Sequence, residues 1–290
     1  MSASITLHNP YLTVRIKSKG AELCSVRHSN ELEYMWQAGE AWPKHSPVLF
    51  PIVGTLVNNT YTYEGNSYSL PRHGFARDME FTPTQLSETV AKFTLRSNAH
   101  TLQVYPFPFR LHLQYELHND SICCSYEIEN IGDSDMYFSV GGHPAFAVPL
   151  QSTEQYSDYQ LRFSETEPLL RWKLDNGLLR NDTAPVAGQL NNTLPLQPSL
   201  FYEDAIVLKH LQSETVSLLN ADASHGIEFR IKEFPHLGIW GAKDAPFVCI
   251  EPWCGHADPV NHSQHITEKP GIETLAPGGF WQRSWQARFF

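Results

Sequence analysis

A period of two runs through this chain and leaves little room for any fold not built of β-strands. Leu111, Leu113, Tyr115 and Leu117 alternate with more polar neighbours, Asn119-Asp120 supplies a turn, and the alternation resumes in Ile122, Cys124, Tyr126 and Ile128. Strict alternation places one set of side chains on one face of a pleated strand, so the two runs and their turn predict a half-buried hairpin. Tyr61 and Tyr63, a turn at Glu64-Gly65-Asn66, then Tyr68 and Leu70 predict a second. Leu12, Val14 and Ile16 alternate near the start, and Ile227, Phe229 and Ile231 do so later. Long helical stripes are nearly absent.

Many short strands separated by turn signals point to an all-β sandwich of two large antiparallel sheets. The 290 residues contain no internal repeat, no low-complexity run and no linker between blocks of different composition, so residues 1–290 read as one domain. A hydrophobic content of 41%, with 12% aromatic residues, is enough for a substantial core. Residues 164–200, rich in Asn, Pro and Gly, read as long loops with short strands.

The net charge of −10 opposes binding to phosphate backbones or anionic lipid, because no basic surplus exists to release counterions. No nucleic acid and no membrane are therefore expected as partners, and a small, weakly charged molecule is. Nothing in the pattern sets an oligomeric state. The first residues carry neither a basic nor an apolar stretch of the kind a secretory leader needs, and no run is long enough to span a bilayer. Five cysteines (Cys24, Cys123, Cys124, Cys249, Cys254) make an odd, unpatterned set. A reduced cytoplasmic protein whose thiols pack is the expectation.

Three segments place titratable residues among Gly, Pro and aromatics: Leu70-Pro-Arg-His73-Gly-Phe-Ala-Arg77-Asp78, Ser139-Val-Gly-Gly-His143-Pro-Ala-Phe146, and Phe247-Val-Cys-Ile-Glu251-Pro-Trp-Cys-Gly-His256-Ala-Asp258. Tyr137, Phe138 and Val140 read as the end of a buried strand. Gly141-Gly142 then permits a close backbone approach and Pro144 ends the ladder, which places His143 at the mouth of a sheet. Its plain reading is a rim histidine bonded to a loop carbonyl. Glu251 follows the apolar run 247–250, read as a buried strand with the carboxylate at its end. Desolvating it is costly unless it has partners or a task, so a structural ion pair and a functional base compete. His73, between Arg72 and Gly74, reads in isolation as part of a solvated charged turn.

Other chemistry is not indicated. Cys254, His256, His262 and His265 match no strong zinc spacing, so no metal is expected. The sequons at Asn58, Asn191 and Asn261 are chance matches in a chain without a leader. A phosphate-binding glycine loop and a nucleophile elbow are both missing.

Together the three segments resemble the aldose 1-epimerase family of galactose mutarotase-like proteins, and its LacX-like branch more closely. His-Gly-Phe-Ala-Arg at 73–77, Gly-Gly-His-Pro-Ala-Phe at 141–146 and Glu-Pro-Trp-x-Gly at 251–255 occur in that branch's order. Ser46-Pro-Val-Leu-Phe-Pro-Ile-Val-Gly54 is similar to its early glycine-ending segment. The likeness runs from about Pro47 to Gly278. It implies a galactose mutarotase-like supersandwich with sugar bound on a concave sheet. It implies interconversion of the α and β anomers of a hexose with no cofactor, Glu251 as general base and His143 as general acid. It makes His73 a substrate contact and, more loosely because Glu203 is adjacent, Asp204 as well.

One position departs from the family. Relatives often carry Gly-Arg where this chain has Gly54-Thr55, and threonine supplies no charged bidentate donor. Arg77 is expected to take over that role. Two other readings stand beside the mutarotase of a free hexose: one acting on a hexose 6-phosphate, with Arg72, Arg77 and Lys44 as candidate anion ligands, and a sugar-binding module without catalysis. At neutral pH the expected pair is an ionised Glu251 and a His143 whose charged form the carboxylate favours.

Overall fold

A computed structural model describes residues 3–290. The predicted hairpins form. Strands Phe109–His118 and Ser121–Asn130 pair across the two-residue turn Asn119-Asp120, and Thr60–Tyr63 pairs with Asn66–Ser69. In the second hairpin Asn66 belongs to the strand, and the turn is Glu64-Gly65, both at positive φ, a twist that suits paired strands.

Two large antiparallel sheets carry the structure. The nine-stranded sheet runs Thr193–Pro195, Tyr159–Phe163, Thr215–Asn220, Gly226–Arg230, Phe280–Phe289, Ser121–Asn130, Phe109–His118, Val90–Arg96, Thr82–Gln85. The eight-stranded sheet runs Leu178–Pro185, Leu170–Asp175, Ile206–Lys209, His236–Trp240, Phe247–Cys254, Val140–Gly142, Val48–Leu49, with Ala145–Ala147 also paired to Phe247–Cys254. Among the described residues the single α-helix is Ala99–Val104, started by a capping box between Asn98 and Thr101. The strand predicted through Ile231 ends at Arg230.

Residues 164–200 hold more order than their composition suggests. Leu170–Asp175 and Leu178–Pro185 form a hairpin around Asn176-Gly177, again two residues at positive φ. These strands are largely half-exposed, so the apolar alternation that reveals a strand is missing and only the turn dipeptide announces them.

The eight-stranded sheet is buried on both faces. Val248, Ile250, Leu237, Ile239, Ile206 and Leu208 point into the main core. Their alternates Cys249, Trp253, Ala205 and Val207 belong to separate clusters on the opposite face. The strand Phe247–Cys254 is accordingly buried at all eight positions. Glu251 sits within it, not at its end. The Ile250 amide is directed toward the Pro144 carbonyl. By the period of two the nitrogen of Pro252 faces that same side, where the chain leaves the ladder at His143-Pro144 and no donor is required.

Candidate active site

The outer face of the eight-stranded sheet forms the floor of a cleft of about 300 Å³, the size of a small-molecule site. Glu251 stands on that floor, opposite Gly238 of the neighbouring strand. Trp253, two residues on, lies across the same glycine: a Cβ at Gly238 would fall 2.2 Å from its indole ring. Gly141, on the other flank, would place a Cβ 2.7 Å from that indole. Bare backbone on both neighbours therefore lets a tryptophan lie beside the carboxylate.

His143 occupies the two-residue detour between strands Val140–Gly142 and Ala145–Ala147, both paired to the strand of Glu251. Its Nε2 comes within 3.3 Å of Glu251 Oε2. The contact lacks hydrogen-bond alignment. Glu251 Oε2 and His143 Nδ1 are both buried without a hydrogen-bond partner among the described residues. Glu251 is 1% and His143 7% exposed. Trp42 stacks on the imidazole (centroids 5.0 Å, planes at 27°) and Trp240 meets it edge-on at 5.6 Å.

Burial dominates the charges in the cleft. It pushes the Glu251 carboxyl well above the usual carboxylate range, partly opposed by the Arg72 guanidinium. It pulls His143 down to about 3, with Arg72, Arg77 and Lys44 also disfavouring an imidazolium. The expected ionised Glu251 and charged His143 are thus reversed: without a ligand, neutral acid faces neutral imidazole, because desolvation outweighs mutual attraction.

The other predicted residues divide. His73 is buried, not a solvated turn residue, and its ring meets that of His143 edge-on at 5.8 Å. Burial, ahead of His143 and the two arginines, holds it well below the ordinary histidine value. Asp204 lies at the rim, 3.6 Å from Arg72 Nη2, while the Glu203 side chain is 87% exposed and turns to Arg171.

Arg72 and Arg77 both line the cleft, and Arg72 shares the surroundings of Gly177 with Thr55. A Cβ at Gly177 would lie 3.0 Å from Thr55 Oγ1 and 3.6 Å from Arg72 Nη1. Arg77 instead donates from Nη2 to the Arg72 carbonyl at 2.8 Å and approaches Asp78 at 3.7 Å. Both arginines thus border the cleft, with Arg72 on the side of Gly177 and Thr55.

Trp240 and Trp253 line the cleft, whereas Phe146 lies in the main core and Phe75 packs against it. Sequence reasoning missed Trp42 and the apolar wall of Leu174, Leu179, Ala205, Val207 and Ala257. The Asn176-Gly177 turn was the available signal for Leu174 and Leu179; Trp42 has none. The late histidines go separate ways: His256 Nδ1 meets the Ala257 carbonyl, His262 faces Asp258 and His265 meets Thr62.

Strand order and cleft together define a galactose mutarotase-like fold. A galactose mutarotase related enzyme from Lactobacillus acidophilus superposes with TM-score 0.95 at 32% identity, covering 99% of this chain and 97% of the other. A galactose mutarotase-like protein from Lactobacillus casei superposes with TM-score 0.94 at 30% identity, covering 99% and 100%. The chain belongs to the aldose 1-epimerase family, whose model matches residues 3–288. The chromosomal LacX protein of Lactococcus lactis is 35% identical over 285 residues, 94% of this chain and 95% of that protein.

Proposed function

We propose that the chain is an aldose 1-epimerase acting on a free hexose, with Glu251 and His143 as its proton-transfer pair. The observation that carries this reading is the 3.3 Å approach of His143 Nε2 to the buried, unpartnered Oε2 of Glu251 on the floor of a cleft of sugar size. A buried carboxyl oxygen without a donor costs stability, and substrate hydroxyls would satisfy it.

Mutarotation needs one proton taken from the anomeric hydroxyl and one given to the ring oxygen, after which the ring opens. Rotation about C1–C2 exposes the other carbonyl face, and the reverse transfers close it. Glu251 is the base toward the hydroxyl and His143 the acid toward the ring oxygen. The neutral pair of the sugar-free cleft carries the same single proton on the other partner. Sugar hydroxyls donating to the carboxylate, with Arg72 nearby, favour the ionised form of Glu251. Both groups are restored each cycle, and no cofactor enters. Trp253 and Trp240 offer flat apolar faces to the pyranose, and His73, Arg72, Arg77 and Asp204 supply polar contacts.

A hexose 6-phosphate fits less well. Lys44 is engaged by Asp78 at 3.2 Å, Arg72 by Asp204, and Arg77 by Asp78 and a carbonyl, so no cation of the predicted anion set stands free at the rim. The sugar-binding module without catalysis leaves the unpartnered Oε2 of Glu251 without a task. Five free cysteines accord with a cytoplasmic setting. No helix among the described residues is long and apolar enough to cross a membrane. Anomer exchange by NMR across glucose, galactose and glucose 6-phosphate tests the reading. Exchange accelerated for a free hexose supports it; no acceleration with any of the three ends it.

A further inference from the structure

We propose that His143, Cys249 and Glu251 form a Zn²⁺ site on the cleft floor, entered by the ion when no sugar is bound and blocking the cleft from there. Cys249 and Glu251 are two residues apart on one strand and therefore share its outer face, and His143 stands opposite on the detour. A ring nitrogen, the thiol sulfur and a carboxyl oxygen of these three buried residues all lie within 4.8 Å of one another. This nitrogen, sulfur and oxygen set suits zinc.

Distance and satisfaction point the same way. Zinc bonds of about 2.0–2.2 Å to nitrogen and oxygen set a tetrahedral N···O edge of about 3.4 Å. His143 Nε2 and Glu251 Oε2 are 3.3 Å apart without forming a hydrogen bond. Glu251 Oε2, almost wholly buried, has no other hydrogen-bond partner among the described residues. A thiolate and a carboxylate on a divalent ion leave no net charge on the dry floor. The fourth position is left to a water from the cleft that His143 and Glu251 line.

His143 Nδ1 has no partner, whereas tight zinc sites anchor that second nitrogen. The site is therefore an exchangeable, inhibitory one, emptied by a chelator. The chain provides its own control. Glu22, Cys24 and His45 are a second such cluster, but the Lys17 ammonium already stands 3.7 Å from Glu22 Oε2 and 3.5 Å from His45 Nδ1. A cation in place excludes another.

The test titrates the metal-free full chain with Co²⁺ as a spectroscopic stand-in. A thiolate-to-cobalt charge-transfer band is expected in the wild type and in Cys24→Ser, displaced by Zn²⁺ and absent from Cys249→Ser. The Cys249 variant should bind Zn²⁺ about tenfold or more weakly and escape Zn²⁺ inhibition of anomer exchange to the same degree. Zinc-edge X-ray absorption of the wild type should count one sulfur ligand, a measurement that holds even if the Cys249 variant fails to fold. A sulfur-free shell, no band at millimolar Co²⁺, or a band lost in Cys24→Ser overturns the proposal. The spectroscopic arms need no turnover, so they succeed or fail independently of the epimerase reading.

Discussion

The backbone amide of Gly54 donates to Nδ1 of His73 at 3.1 Å, and this single bond fixes the tautomer of a cleft histidine. Arg72 Nε also approaches the ring, 3.3 Å from Nε2. A neutral imidazole has one acceptor nitrogen, so both approaches cannot be hydrogen bonds at once. Gly54 is buried and its amide has no water to turn to, whereas the Arg72 side chain is half-exposed. Nδ1 is therefore the acceptor and Nε2 carries the hydrogen, making His73 a fixed donor beside His143.

Two substitutions separate the two ends of that ring. His73→Asn keeps an acceptor near the Nδ1 position and loses the donor. It should leave the melting temperature nearly unchanged while raising KM about tenfold or more. His73→Ala strands the Gly54 amide as well, at about 1–3 kcal/mol in urea unfolding. A wild-type KM in the His73→Asn variant would remove His73 from substrate binding.

Under the proposed mechanism the Glu251 carboxylate is costly to the fold and needed for the reaction, so the two should part on substitution. Glu251→Gln removes a buried acid with an unpartnered oxygen. It should hold or raise the melting temperature, reduce anomer exchange about 10²–10⁴-fold and keep sugar affinity within about tenfold. Full activity in that variant would refute the base assignment. His143→Asn should likewise slow exchange far more than it destabilises the chain.

The same pair predicts an unusual pH profile. Burial keeps His143 neutral down to about 3 and keeps Glu251 protonated above the usual carboxylate range. As pH falls the imidazole resists a second proton, and as pH rises the carboxyl resists losing the first. On the acid side the pair therefore resists a second proton well below the ordinary histidine value of about 6.5. The profile of kcat/KM, which reports the free enzyme, should have its acid limb nearer 3 than that value. An acid limb centred at 6 to 7 would contradict the shared-proton state.

Much of this is legible in the amino-acid sequence, and the rest is hidden there for physical reasons. The hairpin at Asn119-Asp120 shows itself because one face of each strand is wet. The strand Phe247–Cys254 conceals its period because both faces are dry, the core on one side and Trp253, Glu251 and Cys249 under the cleft on the other. Glu251 stands out only as a charge in an apolar run, which makes it detectable but misplaces it at the strand's end. The Leu170–Pro185 hairpin escapes because its strands lack a buried face. Thr55 draws attention to a missing arginine, but that Arg72 and Thr55 both lie beside Gly177 depends on how that turn folds.

That arrangement makes Arg72 and Arg77 unequal. Arg72 faces Asp204 and tempers Glu251, so Arg72→Ala should raise KM about tenfold and depress kcat by leaving the carboxyl harder to ionise. Arg77 also donates to the carbonyl of residue 72, so Arg77→Ala should lower the melting temperature and raise KM less than Arg72→Ala does. Steady-state anomer exchange with both variants decides it; the reverse ranking would return the role to Arg77.

Three buried histidines tie stability to pH. His143, His236 and His256 are each held at about 3, burial being the largest cause in every case. In the unfolded chain they titrate near 6.5. Below that value the unfolded state takes up protons the folded state refuses, so stability falls as pH drops from 6.5 toward 3. The loss is at most about 1.4 kcal/mol per pH unit for each histidine. His236, whose Nδ1 is unpartnered, is the one to remove. His236→Phe should flatten the decline of the urea midpoint between pH 6.5 and 4.5, and an unchanged slope would exclude it as a contributor.

The strongest structural dependence of the cleft lies behind it, in the buried pair Asp258 and Lys269. Lys269 Nζ donates to Asp258 Oδ1 at 2.8 Å and to the His256 carbonyl at 2.6 Å, while Asp258 Oδ2 accepts the Val57 amide at 3.0 Å. The Asp258 backbone meets Thr55 on one side and Leu179 on the other. One ion pair thus joins the segments that carry Thr55, Leu179 and His256 around the cleft. Lys269→Met leaves the desolvated carboxylate with only the Val57 amide and the His262 ring 3.4 Å away, and losing one partner of a buried pair typically costs about 3–5 kcal/mol. It should also raise KM, because the wall it anchors is the wall the substrate touches. Urea unfolding and anomer exchange on the same variant test both. A destabilised chain with unaltered KM would mean that the pair supports the fold without shaping the cleft.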